Sequence, residues 1–574
     1  MRRRWVEREF DAEAAARIQA ELGAAPLVAR LLTQRGVRSP DQAAAFLSPS
    51  LDALHDGLHP SAGLLGLSQG VERLRRAIAG NERILVYGDY DVDGTTSVVL
   101  LRKAIELAGG RADYHVPHRL REGYGMRADV IERAAADQVK LLISVDTGIR
   151  ERHVVEQAQA LGIDCIITDH HLPEEAVPPA LAVINPNQPG CPYPDKNLCG
   201  VGIAFKLSHA LLASLGWPAE KLRRTLESML MIVAIGTIAD LVPLAGENRV
   251  FASIGLRGLY QARNPGLRAL LDVAGLGEKL QPSAGDIGFR VGPRMNAAGR
   301  MDTARAVVEL FGAVDEAAAR PIAEQLDALN AERQATEESV VQAILEKLQN
   351  APPPDVMPFL VVEGEGWHPG VIGIVASRVV ERFHRPTLVL SVDPATGLAT
   401  GSGRSIPGFH LTEALSSMDG IFERFGGHAQ AAGCTVRADR IETLRRGLND
   451  FAANVLGPED FIPIQMLDGE LPFAEITDGL MQTLEQLAPH GIGNPSPVFY
   501  ARDLQLLGEP RILKDKHLKL RLRQAGTVMT AIGWRMAPIA SSIRSGAALE
   551  AAFGVEWDDY SGGWRLNLKD LRES

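Results

Sequence analysis

Between residues 81 and 190, short apolar runs alternate with stretches of helical period. The run Ile84–Tyr87 ends in acidic residues, and TTSVVLLRKAIELAGG (95–110) then keeps helical spacing until it stops at glycine. LLISVD (141–146) is a second apolar strand, followed by the helical RERHVVEQAQALG. CIIT (165–168) is a third strand and LAVINP (181–186) a fourth. Strands alternating with helices predict a parallel sheet covered on both faces. Residues 200–340 are mainly helical in pattern. The abundance of Ala, Glu, Gln and Leu from Asp315 to Leu348 predicts a long connecting helix, which Pro321 is expected to interrupt. APPPDVMP (351–358) cannot be helical and reads as a boundary. FLVVEG (359–364), a helix from Val371 to Phe383 and PTLVLSV (386–392) then form a second, smaller α/β unit, closing near Leu456. After GPEDFIP the pattern turns to short strands. HLKLRLRQ (517–524) alternates strictly, with Leu518, Leu520 and Leu522 on one side and Lys519, Arg521 and Arg523 on the other. SGG (561–563) reads as a hairpin turn between two more strand-like runs, so the tail is expected to be a small β-barrel. The expected divisions are 1–80, of unassigned role, an α/β unit at 81–311, a connecting helix at 312–350, the second α/β unit at 351–456 and the barrel at 457–574.

Composition narrows the class. The 574 residues are 46% apolar and 23% charged, an ordinary globular balance. The longest apolar run, Met229–Ala239, stops at Asp240, short of a membrane span. The charged start MRRRWVEREFDAE lacks the apolar core of a secretory leader. Four cysteines (165, 191, 199 and 434) form no CxxC pair, which fits a reducing, cytoplasmic setting. A net charge of -11 argues against general coating of nucleic acid, yet residues 511–523 carry six Lys or Arg against one Asp.

The chemistry is concentrated in GDYDVDG (88–94). Its alternate Asp residues match the opening of an EF-hand loop, but that loop needs a bidentate Glu at its twelfth position, and counting from Asp89 the twelfth residue is Leu100. The alternative places Asp91 and Asp93 just past the carboxyl end of a buried strand, where open α/β sheets bind ligands. Asp146 ends the second strand, Asp169, His170 and His171 end the third, and Asp240 follows the apolar run. Helix capping explains any one such Asp. It does not explain four acidic positions and a His pair together, because carboxylates buried side by side need cations. Asp with His and without Cys suits Mn²⁺, with Mg²⁺ a weaker substitute. Two ions sharing a bridging carboxylate are a device for hydrolysing phosphate esters.

GDYDVDG, SVDTG, TDHH and GTIADLVPL resemble the four motifs of the DHH phosphoesterase superfamily. PHRLREGYG (117–125), GPRMNAAGRMDTA (292–304), EGWHPGVIGIVASR (365–378), GSGRSIPGFHL (401–411), FGGHAQAAG (425–433) and PHGIGNPSPVF (489–499) are similar to the RecJ family of bacterial single-stranded-DNA exonucleases. The resemblance implies a DHH domain, a linking helix, a DHHA1 domain and an OB-fold tail. It implies that Asp91 and Asp146 hold one metal, that Asp93, Asp146, His170 and Asp240 hold the other, and that His171 contacts the scissile phosphate or stands behind the metal ligands. Relatives often carry a metal-binding His where this chain has Tyr87. That place is left to Asp89, water or substrate.

The resemblance further implies that Ser402 and Arg404 bind a DNA phosphate, that His428 lies near the scissile group, and that Arg119, Arg294 and Arg300 anchor a 5′-phosphate. Lys519, Arg521 and Arg523 would track the strand backbone, in agreement with the local charge. The implied activity is 5′→3′ hydrolysis of single-stranded DNA to mononucleotides, with two Mn²⁺ or Mg²⁺ ions, in recombination and repair. A single-strand-binding protein and a RecQ-type helicase are the implied partners, no membrane is involved, and a monomer is expected. The rivals are a small-molecule or cyclic-dinucleotide phosphodiesterase, for which the basic tail has little use, and a non-catalytic DNA-binding scaffold, for which the intact acids have none.

Overall fold

The computed structural model describes residues 3–119, 121–174, 176–349, 356–544, 546–558 and 562–573. Most of the 351–358 boundary, and Ser561 of the expected hairpin turn, lie outside them. The chain divides into two compact units, one of 54–242 with 250–461, the other of 1–53, 243–249 and 462–574.

The first unit opens with a parallel five-stranded sheet. Its spatial order is Ala112–His115, Arg83–Tyr87, Val139–Val145, Asp164–Thr168, Ala182–Ile184. The first strand in sequence therefore has the second on one flank and the third on the other. Connections leave it in opposite directions, and this switch point opens a crevice at the carboxyl ends. The Ala112–His115 edge strand is absent from the expected set. It has four residues, ADYH, and none is fully buried, so it shows no apolar run. The Val92–Leu107 helix is buried along most of its length, between the sheet and the helices Gly200–Ala213 and Ala219–Ala239.

The connecting helix is one element, Glu316–Gln349, and Pro321 lies inside it. The expected interruption does not occur. Pro321 stands in the second turn, where the missing N–H removes one backbone bond near an end that already has free donors. The smaller α/β lobe follows, with strands in the order Phe422–Gly427, Ala431–Arg437, Leu398–Arg404, Thr387–Asp393, Leu360–Glu365. Only the last pair is parallel.

The second unit is a closed five-stranded barrel of Phe499–Leu506, Ala548–Asp558, Gly563–Glu573, Thr527–Gly533 and His517–Gln524. The last strand pairs back onto the first. Leu518, Leu520 and Leu522 are buried in its core, as the alternation requires. Ile18, Leu31 and Leu32, from the helices Ala12–Leu22 and Pro26–Gln34, belong to the same core. The strand Arg4–Glu7 pairs in parallel with Ile464–Leu467. Of the 80 N-terminal residues left unassigned, the first 53 thus fold with the tail. The short 243–249 segment belongs there too. Leu244 N–H bonds the Ile492 carbonyl at 2.7 Å, and the buried Arg249 donates to the carbonyls of Phe46, Gln486, Leu487 and Ala488. Among the described residues no helix is long and apolar enough to cross a membrane.

Candidate metal centre and phosphate pocket

The crevice at the switch point gathers the acids. Asp89, Asp91 and Asp93 follow the Arg83–Tyr87 strand, and Asp146 ends its neighbour. Asp91 caps the Val92–Leu107 helix, its Oδ1 accepting from Gly94 N at 3.0 Å, so an ordinary capping role and a place in the cluster fall on one residue. Asp93 accepts from Gly200 N at 2.6 Å and Val201 N at 2.8 Å, which anchors the Gly200–Ala213 helix on the cluster. Asp146 adopts a left-handed backbone with φ 61°. A Cβ on Gly200 would fall 2.6 Å from Asp146 Cβ and 2.7 Å from its Oδ1, so only glycine allows this approach.

Asp240 caps the carboxyl end of the Ala219–Ala239 helix. His170 Nε2 lies 3.2 Å from Asp146 Oδ1 and 3.9 Å from both Asp93 Oδ2 and Asp240 Oδ2. Donor atoms of Asp93, His170 and Asp240 lie within 4.8 Å of one another. So do those of Asp89, Asp91 and Asp146, and those of Asp146, His170 and His171. Asp146 and His170 each belong to more than one of these triads.

Asp169 is fully buried and serves the cluster indirectly. It accepts from the backbone of Ile149, His170 and His171 and from His171 Nδ1 at 2.7 Å. Burial works against charge on both partners, but this pairing outweighs it, holding Asp169 below the usual carboxylate range and His171 above the usual imidazole range. Tyr124 also reaches His171 Nδ1, at 3.2 Å. Tyr87 does not face the acids: its hydroxyl donates to the Gly125 carbonyl at 3.2 Å, while Asp89 sits with Asp91 and Asp146.

The donor set fits divalent cations by its own electrostatics. Burial, and then the neighbouring carboxylates, push Asp89, Asp93, Asp146 and Asp240 above the usual carboxylate range. Asp89 Oδ1, Asp146 Oδ1 and Asp240 Oδ2 are buried without a hydrogen-bond partner of good geometry. Burial pushes His170 down to about 4, which keeps an imidazole lone pair free for coordination. Two of these oxygens, on Asp146 and Asp240, lie within 4 Å of the neutral imidazole and the third, on Asp89, belongs to the neighbouring acidic triad, an arrangement that oxygen- and nitrogen-binding cations satisfy.

Beside the acids lies a cluster of opposite sign. Arg300 is half-buried, donates to the Gly370 carbonyl at 3.1 Å, and is pushed down to about 10 by desolvation and by Arg119, Arg333 and Arg404. Burial and Arg119 lower Arg404 as well. Arg404 donates to Ser402 Oγ at 3.2 Å, and both side chains approach Gly373 in the first turn of the Ile372–Phe383 helix. Arg119 stacks on Tyr90 at 4.9 Å, and its charge favours ionised Asp89. Arg333 comes from the connecting helix, held by Asn330 and Glu337 at 2.8 Å each, and the sequence analysis did not single it out. Its only sequence trace is the Arg333–Glu337 spacing of an ordinary helical ion pair. Arg294 is placed differently from Arg300: its guanidinium bonds Asp327 and the Arg290 carbonyl. His428 stands exposed in the turn between Phe422–Gly427 and Ala431–Arg437. In the barrel unit Lys519, Arg521 and Arg523 lie on the outward side of their strand, Arg523 bonded to Gln505 at 2.6 Å.

Residues 83–237 match the DHH family, N-terminal domain, residues 357–454 the DHHA1 domain, and residues 467–570 the RecJ OB domain. The single-stranded-DNA-specific exonuclease RecJ of Dickeya dadantii is 39% identical over 93% of this chain and 94% of its own length. Its counterpart in Bacillus subtilis is 37% identical over 95% of this chain and 67% of its own. The crystal structure of RecJ from Thermus thermophilus in complex with Mn²⁺ superposes with a TM-score of 0.82 at 28% identity, covering 100% of this chain and 80% of that one. With a switch-point carboxylate cluster, an adjoining arginine pocket and relatives matching over nearly its whole length, the chain belongs to the RecJ family of single-stranded-DNA-specific exonucleases.

Proposed function

We propose that this chain is a divalent-metal-dependent exonuclease that hydrolyses single-stranded DNA from the 5′ end and releases 5′-mononucleotides. The observation that carries this reading is the juxtaposition of orphaned buried carboxylates with half-buried arginines crowded against one another: one cluster calls for cations and the other for a phosphate. Asp89, Asp91 and Asp146 would hold one ion and Asp93, His170 and Asp240 the other, with Asp146 shared. Bound Mn²⁺ or Mg²⁺ would lower the pKa of the attacking water and neutralise charge developing on the phosphate. Asp169 holds His171 by Nδ1, leaving Nε2 for the scissile phosphate. Arg119, Arg300, Ser402 and Arg404 would fix the terminal phosphate, which a guanidinium fork suits. Arg294 and His428 would act at the margins of this pocket, Arg294 only after exchanging Asp327 for DNA.

The divisions 81–311, 312–350, 351–456 and 457–574 would then be the catalytic domain, the connector, the phosphate-binding domain and the strand-tracking OB-fold. Lys519, Arg521 and Arg523 supply the backbone contacts of the last. Work on repair intermediates in the cytoplasm as a monomer, alongside a single-strand-binding protein and a RecQ-type helicase, completes the proposal. The test is Mn²⁺-dependent nucleotide release from end-labelled single strands, against linear and cyclic dinucleotides. Preference for the long single strand supports the reading. Preference for cyclic dinucleotides overturns it.

A further inference from the structure

The Gly292–Met301 helix runs alongside the reaction centre like a ruler. At its carboxyl end Arg300 reaches the arginine pocket, and Gly299 lies so close to Tyr90 that a Cβ would fall 2.6 Å from the Tyr90 carbonyl. At its amino end a Cβ on Gly292 would touch Ala239, the residue before Asp240, at 3.5 Å. Ten residues of α-helix span about 15 Å. A strand whose 5′-phosphate sits among the arginines and whose next phosphate meets the carboxylates therefore leaves past the amino end of this helix.

The helix is preceded there by a π-helical turn, Ile287–Val291, a rare conformation concentrated at functional positions. Ile287 and Val291 are buried and Gly288 faces Ile238, but the Phe289 ring is 84% exposed. Leu241, directly after Asp240, is 67% exposed in a left-handed backbone with φ 59°, a conformation costly for leucine. Both residues stand at the Asp240 end of the Ala219–Ala239 helix, Phe289 in a turn whose Gly288 and following Gly292 pack on Ile238 and Ala239, and Leu241 next to Asp240 in sequence.

We infer that Phe289, with Leu241 beside it, is the stacking platform for an unpaired base on the 3′ side of the scissile phosphate, and so a specificity residue for single strands. The inference rests on the exonuclease reading above. Every base has a π-face, so such a platform reads no sequence. A base already paired and stacked in a duplex cannot use it.

The experiment compares 5′-phosphorylated twelve-residue oligonucleotides, intact or with one abasic position at the second, third or fourth nucleotide, using the native protein and Phe289→Ala, Phe289→Leu and Phe289→Trp. In the native protein one abasic position is expected to lower kcat/KM by about fivefold to a hundredfold, mainly through KM. In Phe289→Ala and Phe289→Leu that penalty should vanish, and Phe289→Trp should restore it. An abasic penalty of equal size in the native protein and Phe289→Ala, or no penalty at any position, overturns the inference while leaving the exonuclease reading intact. Failure of the native protein to release nucleotides from the intact oligonucleotide overturns the reading itself.

Discussion

At Arg249, in the barrel unit, a side chain only 2% exposed donates to five backbone carbonyls; at the switch point of the other unit, five carboxylates are gathered and three of their oxygens have no hydrogen-bond partner of good geometry. Both places bury charge in excess of the opposite side-chain charge around them, Arg119 and His171 offsetting only part of the repulsion among the acids. The first is closed: each carbonyl around Arg249 gains a donor, and the cation acts as a clasp between loops. The second is open, since burial and mutual repulsion leave the acids short of the positive charge they need. Buried charge is thus informative about function only after its hydrogen bonds are counted. The arginine pocket falls between the two, with Arg300 holding one carbonyl and facing three other cations.

Substitution of the shared carboxylate should separate the open centre from the closed one most widely. Asp146→Asn, which tolerates the left-handed backbone, is expected to reduce turnover more than about a thousandfold, some 4 kcal/mol of barrier. Its metal-free thermal stability should be unchanged or higher, because one of several repelling charges is gone. Retention of a tenth of the turnover would remove Asp146 from its bridging role. Arg249→Met should do the reverse. It strands several buried carbonyls, so unfolding by urea should show a loss of about 3 kcal/mol or more, with turnover at low temperature preserved. If Arg249→Met is as stable as the native protein, the clasp carries no weight and the comparison fails.

The intermediate case sharpens the comparison. A 5′-phosphorylated strand should be cut about ten- to a hundredfold faster than a 5′-hydroxyl strand, as a charge-assisted contact of roughly 1.5–3 kcal/mol allows. Arg300→Ala should abolish that preference, and an unaltered ratio would exclude Arg300 from the pocket. The smallest effect is expected where charge is solvated from the start. Neutralising Lys519, Arg521 and Arg523 together should weaken binding of long single strands and flatten its salt dependence by up to about 0.7 per lost contact. An unchanged slope in a filter-binding titration would show that this face does not touch DNA.

What the sequence disclosed follows the range of the forces involved. The parallel sheet, the barrel strand with its Leu518, Leu520 and Leu522 face and the acids at strand ends are written in local periodicity, and they stand where that pattern puts them. Asp169 was visible as a strand-end acid, but its work in orienting His171 depends on backbone donors from Ile149, and no spacing announces them. Arg333 reaches the arginine pocket from the middle of a helix whose pattern says only that it is long. Arg294 sits in the same motif as Arg300, yet one turn and a half of helix turns it toward Asp327 instead. The Ala112–His115 strand was missed because an edge strand needs no apolar run, and the continuity through Pro321 because burial of Ala319, Ala323 and Leu326 on either side of it outweighs the backbone bond it removes.

The barrel unit has a consequence in time. Its helices Ala12–Leu22 and Pro26–Gln34 leave the ribosome first, but the strands that cover Ile18, Leu31 and Leu32 follow about 400 residues later. At ordinary elongation rates that delay is roughly 20–80 s. Throughout it, the apolar faces of the first two helices have only each other and the Pro40–Leu47 helix to pack on, and the arrival of the last hundred residues completes their core. A nonsense mutation or proteolytic nick near residue 460 would therefore do more than delete the barrel. It would strand the amino terminus as a lasting aggregation liability on an otherwise folded catalytic unit.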